Sequence, residues 1–198
     1  MRIIGISCSP RKGKSTRYAL DFCLQAVKEM FPDMETMLIE LSDMKINGCI
    51  ACGKCIKVLE CSQEDDFPKM IPILSDPELA GLVVATPVYF GSMTSQCKAF
   101  LDHFVMFRRN GFLLRDKVGG VIAVGGVRNG GQELAIQAVQ AAMLVQDMVV
   151  VSEGRPTSHY GATLWSGHPD GIEKDSFGLE TTRNLGKRVA EVSSRMHR

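Results

Sequence analysis

Short apolar runs alternate along the chain with longer segments in which the apolar residues are spaced as in a helix. The runs are rich in Val, Ile and Leu, which favours extended strands. They predict five strands, at 2–7, 36–41, 80–86 and 118–124 and from 149 onward. The runs at 80–86 and 118–124 are almost continuously apolar, which is typical of strands buried on both faces of a parallel sheet.

Between the strands, apolar residues recur at intervals of three and four, which is the period of an amphipathic helix. This spacing predicts helices at 16–30, 65–74, 94–107, 133–144 and 181–196. Alternating strands and helices indicate an α/β fold of the flavodoxin-like class, a doubly wound five-stranded parallel sheet with strand order 2-1-3-4-5. We expect residues 1–198 to form this single domain, with a ligand crevice at the carboxyl ends of strands one and three.

The segment after the second strand carries four closely spaced cysteines, Cys49, Cys52, Cys55 and Cys61, in the pattern C-x2-C-x2-C-x5-C. We interpret residues 43–64 as a cysteine-rich insertion at the carboxyl edge of the sheet. Four thiolates that can converge are what a [4Fe–4S] cluster requires, because each of its irons takes one cysteine. Structural zinc, which more often uses two C-x2-4-C pairs with a longer gap, and a redox-active disulfide pair are the alternatives.

The first strand leads through a loop rich in hydroxyl and basic residues directly into a helix. The backbone N–H groups of such a loop and of a helix N-terminus bind phosphate. The G-x-G-x-x-G motif of a dinucleotide fold is absent, and Cys8 stands where a P-loop would have its first glycine. We therefore favour the phosphate of FMN as the ligand, with a plain helix cap by Ser15 or Thr16 as the alternative. The candidate phosphate-binding residues are Ser9, Arg11, Lys14, Ser15 and Thr16.

Two further loops follow strands three and four and are expected to border the same crevice. The first can supply an apolar wall and backbone donors for a flat redox-active ring. Its candidate residues are Pro87, Val88, Tyr89, Phe90 and Gly91. The second is rich in glycine and includes Gly126, where the backbone can approach a ligand closely.

Composition narrows the classes of function that remain. The net charge of +1 over 198 residues gives no reason to expect a nucleic-acid or membrane-surface partner. The apolar runs fall short of the ~18 residues of a membrane span, and the first residues lack the features of a signal peptide. Seven cysteines, four of them in one loop, do not resemble a secreted disulfide framework, so we expect a cytoplasmic protein. The other three, Cys8, Cys23 and Cys97, are predicted to be buried core residues.

Over nearly its whole length the chain resembles the iron–sulfur flavoprotein family, within the NAD(P)H-dependent FMN reductases. The resemblance is carried by the loops SPRKGKST and TPVYFGSM and, most specifically, by the C-x2-C-x2-C-x5-C run. It implies FMN at the two loops, a [4Fe–4S] cluster on the four cysteines, and a homodimer or homotetramer with the cluster of one subunit near the flavin of another. Lys14 departs from the asparagine or glycine that relatives often have at this position.

Together these features predict an oxidoreductase that passes electrons between NAD(P)H or ferredoxin, FMN and the cluster. The alternative is a binding module whose cysteine loop senses iron or redox state. The stretch 152–178 shows no clear pattern, and we expect it to take part in subunit packing or to cover the flavin.

Overall fold

The computed structural model describes residues 1–197. Its strands are β1 (Arg2–Ser7), β2 (Glu35–Glu40), β3 (Leu79–Pro87), β4 (Val118–Gly125), β5 (Val149–Val150) and β6 (Ala162–Trp165). Its α-helices are α1 (Ser15–Met30), α2 (Ile71–Leu74), α3 (Ser95–Asp102), α4 (Val105–Arg109), α5 (Gln132–Leu144) and α6 (Ser176–Met196). No helix within these residues is long and apolar enough to cross a membrane.

The predicted strand order is confirmed. The sheet runs β2-β1-β3-β4-β5, its strands pair in parallel, and β6 also pairs with β4. Ser7 lies opposite Ala85, and Pro87 lies opposite Val124. Because parallel strands end at the same edge, the loops that follow β1, β3 and β4 leave the sheet side by side.

The core consists of two layers, one on each face of the sheet. Side chains alternate between the faces along a strand, so that Ile4 packs with Phe100 on one side and Ile3 packs with Leu20 and Leu185 on the other. All nine residues of β3 and all eight of β4 are buried, as their apolar runs predict.

The three cysteines outside the cysteine loop are buried, as predicted. Burial raises the pKa of Cys23 to about 12, so this thiol stays protonated at neutral pH. Burial and the neighbouring Cys97 raise the pKa of Cys8. None of the three has the electropositive, exposed surroundings of a reactive thiol.

The prediction of the fifth strand was incomplete. The two residues of β5 pair with the start of β4, the chain then leaves the sheet, and β6 returns to pair with the end of β4. The stretch 152–178, in which the sequence showed no pattern, therefore contains β6, which pairs with the second half of β4 beyond the end of β5. Its strand was missed because four residues are too few to show a period.

Two predicted helices differ from the structure. Residues 94–107 do not form one helix, because the N–H groups of His103 and Phe104 bond to carbonyls only three residues back and tighten the turn between α3 and α4. Residues 65–74 form a 3-10 turn, Phe67–Met70, followed by the single turn of α2. A longer helix is prevented because Pro68 and Pro72 lack the N–H that its hydrogen bonds need.

Candidate functional site

The loop after β1 ends at a helix N-terminus that no side chain caps. Lys14 occupies the N-cap position of α1 with extended backbone, and it makes no side-chain capping bond. The alternative of a plain cap by Ser15 or Thr16 is therefore wrong. The N–H groups of the first turn and the positive end of the helix dipole are left for another partner, and an anion fits that role.

Contacts within this loop shape it as a cradle. The Ser9 hydroxyl accepts a hydrogen bond from the N–H of Arg11, at 3.1 Å. Gly13 has a φ of 65°, and its N–H donates to Glu40 over 2.9 Å, so one of the loop's donors is already engaged. Ser9 and Thr16 are buried, whereas Arg11 and Lys14 are exposed at the rim. The five residues predicted to hold a phosphate thus lie on one short loop and the first turn of α1, with Ser9 and Thr16 inside and the charged side chains outside.

The loop after β3 closes in a tight turn. The backbones of Tyr89 and Ser92 bond to each other, and the two residues between them have positive φ, 49° at Phe90 and 74° at Gly91. The N–H of Val88 donates to the Val124 carbonyl over 2.9 Å. The donors left for a ligand at the tip are therefore those of Phe90 and Gly91.

The three loops contact one another. The Thr94 hydroxyl, directly after the second loop, donates to the Cys8 carbonyl at 2.8 Å. A Cβ at Gly131 would lie 2.9 Å from the Cα of Gly91. The close contact between the loops after β3 and β4 therefore requires glycine at position 131. Gly126 is exposed, and a Cβ there would meet nothing within 4 Å. The three loops that carry the candidate flavin residues are therefore packed side by side at the carboxyl edge of the sheet.

Residues of the stretch 152–178 bind the loop after β4 through a hydrogen bond and an ion pair. The Asp175 carboxylate is buried, accepts the Trp165 N–H at 2.7 Å and pairs with the guanidinium of Arg128. The Trp165 indole donates to the Gly126 carbonyl at 3.0 Å. Sequence reasoning missed this brace, although an aspartate three residues before Gly178, whose N–H it caps, is a helix-start signal.

The four cysteines of the loop line a single cavity. Ala51 and Gly53 have positive φ, 53° and 80°, and turn the chain between successive cysteines. All four cysteines border the same space, which residues of the α3–α4 segment close on the far side. The lining cysteines are Cys49, Cys52, Cys55 and Cys61.

The thiols are not gathered around one point. Within residues 1–197 no three His, Cys, Asp or Glu side chains lie close enough together to hold a single metal ion. Thiolates on one tetrahedral zinc would lie about 3.8 Å apart, given Zn–S bonds of about 2.3 Å. A cubane cluster spreads its thiolates over four irons. Four cysteines around one space are the ligand set that a [4Fe–4S] cluster uses.

The electrostatic surroundings differ among these thiols. A hydrogen bond with the Ser62 hydroxyl, 2.9 Å away, and the N–H of Lys54 lower the pKa of Cys52. Partial burial raises the pKa of Cys61.

Three polar residues in or directly after the α3–α4 segment contact the cavity or a cysteine that lines it, and the sequence analysis missed all of them. Arg109 and Asn110 contact Cys55, while His103 lines the cavity with its Nε2 unpaired and its Nδ1 2.8 Å from the Ala99 carbonyl. Arg109 lies 54 residues after Cys55 in the chain. No spacing motif links the α3–α4 segment to the cysteines. Only the fold brings the two segments together.

Known proteins resemble this chain over nearly its whole length. Residues 1–163 match the family model described as NADPH-dependent FMN reductase. An iron–sulfur flavoprotein of Methanocaldococcus jannaschii is 41% identical over 192 residues, which is 97% of each chain. An iron–sulfur flavoprotein of Archaeoglobus fulgidus is 37% identical over 196 residues, which is 98% of each.

The fold has close structural counterparts. A solved flavodoxin, a WrbA-like protein from Agrobacterium tumefaciens, superposes with a TM-score of 0.62 over 98% of this chain and 97% of its own. At 19% identity this likeness shows the fold alone. The family match and the curated relatives go further: this chain belongs to the iron–sulfur flavoproteins, FMN-dependent oxidoreductases within the NADPH-dependent FMN reductase family.

Proposed function

We propose that this protein passes electrons between NAD(P)H or ferredoxin, FMN and a [4Fe–4S] cluster held by its cysteine loop. The observation that carries the proposal is the single cavity lined by all four loop cysteines, in a chain whose family uses FMN. Bound FMN would exchange electrons in pairs with a hydride donor, and the cluster would exchange them singly, so the protein's task is to hold the two groups.

Each cofactor has its own set of residues in this proposal. The loop after β1 holds the FMN phosphate on the uncapped N-terminus of α1, and the turn after β3 lies along the ring. Residues 43–64 act as the cluster-binding loop within the single domain. The proposed FMN residues are Ser9, Arg11, Lys14, Ser15, Thr16, Pro87, Val88, Tyr89, Phe90, Gly91 and Gly126; the proposed cluster ligands are Cys49, Cys52, Cys55 and Cys61.

A homodimer or homotetramer is part of the proposal, because exposed apolar side chains lie on the outer face of α5 and at the tip of the β3 loop. The outer face of α5 carries exposed Leu134 and Leu144, and the helix contains one charged residue, Glu133. Phe90 is fully exposed at the tip of the β3 loop. Such a surface is typical of an interface, and a second subunit there would cover the open side of the flavin crevice.

Replacing Thr16 by valine should weaken FMN binding about tenfold, because a hydrogen bond to a charged group contributes about 1.5–3 kcal/mol. The buried Thr16 side chain lies in the first turn of α1, where its hydroxyl can reach a phosphate. The measurement is the Kd for FMN added to flavin-free protein. Thr36→Val, on β2, is the matched control and should leave the Kd unchanged. Equal Kd values for the wild type and Thr16→Val would place the phosphate elsewhere.

The function itself is tested on protein purified without oxygen. We expect FMN, iron and acid-labile sulfide in the preparation, with about four irons per chain. NADH, NADPH and a reduced ferredoxin are then mixed with it separately, and at least one should bleach first the flavin band and then the cluster band. Zinc in place of iron would support the sensing module instead. A cluster that no donor reduces would contradict the electron-transfer role.

A further inference from the structure

Arg109 brings a permanent positive charge to the cysteine cavity. Its Nη1 lies 3.5 Å from the Sγ of Cys55, within range of an N–H···S contact. The guanidinium group stays protonated throughout the pH range in which proteins are folded. Within residues 1–197 no carboxylate forms an ion pair with Arg109, so nothing described there neutralises this charge.

Cys55 is the thiol on which such a charge acts most strongly. It is buried, whereas Cys49 and Cys52 are exposed, and electrostatic interactions strengthen away from water. The next residue, Asn110, donates from Nδ2 to the Cys55 carbonyl at 2.9 Å and to the Met106 carbonyl at 2.7 Å. The end of α4 therefore holds the backbone of Cys55 at the same place where Arg109 reaches its sulfur.

We propose that Arg109 is a positioning residue that raises the reduction potential of the cluster through its contact with Cys55. This inference rests on the proposed function. A cluster ligated by four thiolates is negatively charged, and its reduction adds one electron without making or breaking a bond. A fixed positive charge beside one ligand favours the more negative, reduced form, and hydrogen bonds to the sulfur atoms act in the same direction.

The neighbouring residue provides a matched control. Arg108 belongs to the same helix and has the same charge, but its guanidinium group bonds to the Val145 carbonyl and lies 4.9 Å from the centre of the Phe112 ring. Removing either arginine changes the net charge of the protein by the same amount. Only the change at Arg109 removes a contact with a cluster ligand.

The test is a redox titration of anaerobically purified protein with dithionite, followed by the EPR signal of the reduced cluster. For Arg109→Gln we expect the ratio of reduced to oxidised cluster at a fixed potential to fall about tenfold, which is a shift of about 59 mV for one electron. Arg109→Lys keeps the charge and should shift by less than half as much. Arg108→Gln should titrate like the wild type.

The possible results distinguish failure of the proposed function from failure of the role proposed for Arg109. If the wild type contains no iron and sulfide, the cluster of the proposed function is absent. If it contains the cluster and Arg109→Gln titrates like the wild type, or Arg108→Gln shifts equally, the role of Arg109 is overturned. If folded Arg109→Gln loses its iron while Arg109→Lys and Arg108→Gln retain it, the charge serves to hold the cluster and not to set its potential, which overturns the proposal. Loss of iron from folded Arg109→Lys as well would overturn it.

Discussion

Replacing Cys55 by alanine should reduce the iron content from about four atoms per chain to fewer than one, while FMN remains bound. Cys55 is the most enclosed of the loop cysteines, and two side chains of the α3–α4 segment contact it. A cluster would then lack one of its four ligands, and the described residues that line the cavity include no fifth cysteine to replace it. Iron, sulfide and flavin assays on the anaerobic protein give the result.

The same variant separates the two redox functions. Flavin reduction by the preferred electron donor should continue, because the loops after β1, β3 and β4 do not involve Cys55. Electron delivery to a one-electron acceptor should fall in proportion to the loss of iron. Stopped-flow absorbance, followed at the flavin band and with the acceptor, measures both.

Cys23→Ala is the control for Cys55→Ala. Cys23 is also buried, but it lies on α1 in the opposite layer of the core. This variant should retain its full iron content and lose only a little stability, since a small apolar group replaces a small one. Full iron content in Cys55→Ala, or an equal loss in Cys23→Ala, would contradict the assignment of the cluster to the cysteine loop.

The sequence was sufficient to predict the sheet because burial leaves a strong signal. β3 and β4 are buried on both faces, so their apolar runs mark them to within a residue or two. The strand order then follows from the few right-handed topologies open to five strand–helix units. β6 left no such signal, because its four residues alternate between buried and half-buried and follow a stretch of Gly, Ser and His.

The site could be predicted only where its residues are local in sequence. The loop at 9–16 and the cysteine run are each continuous, so spacing and residue type were enough to select them. The contact of Arg109 with Cys55 and that of Asp175 with Arg128 join segments far apart in the chain. Such contacts depend on how helices pack, and a single sequence does not encode that as a pattern.

The α3–α4 segment links the two proposed cofactor sites. At its start, Thr94 caps α3 and donates to the Cys8 carbonyl beside the phosphate loop. At its end, Asn110 donates to the Cys55 carbonyl. Between them, Phe100 and Phe107 are fully buried. A packed segment of this kind keeps the two proposed sites of one chain at a fixed separation.

Replacing Asp175 by alanine should destabilise the fold by about 3 kcal/mol and weaken FMN binding as well. Its carboxylate is buried, caps α6 through the Gly178 N–H, accepts the Trp165 N–H and pairs with Arg128. Loss of a helix cap costs about 1 kcal/mol, and leaving a partly buried arginine unpaired adds about 2 kcal/mol, below the full range for buried pairs because Arg128 is a third exposed. Urea unfolding of the flavin-free protein measures the loss of stability.

The Kd for FMN shows whether Asp175 positions the loop after β4 for flavin binding or only stabilises the fold. Arg128 and the Gly126 carbonyl both belong to the loop after β4, so freeing them should loosen that side of the crevice and raise the Kd for FMN severalfold. Asp175→Asn keeps the size and one acceptor, and it should lie between the wild type and Asp175→Ala in both measurements. Asp170→Ala, at an exposed position nearby, should change neither. A destabilised Asp175→Ala that binds FMN as tightly as the wild type would show that this loop does not border the flavin.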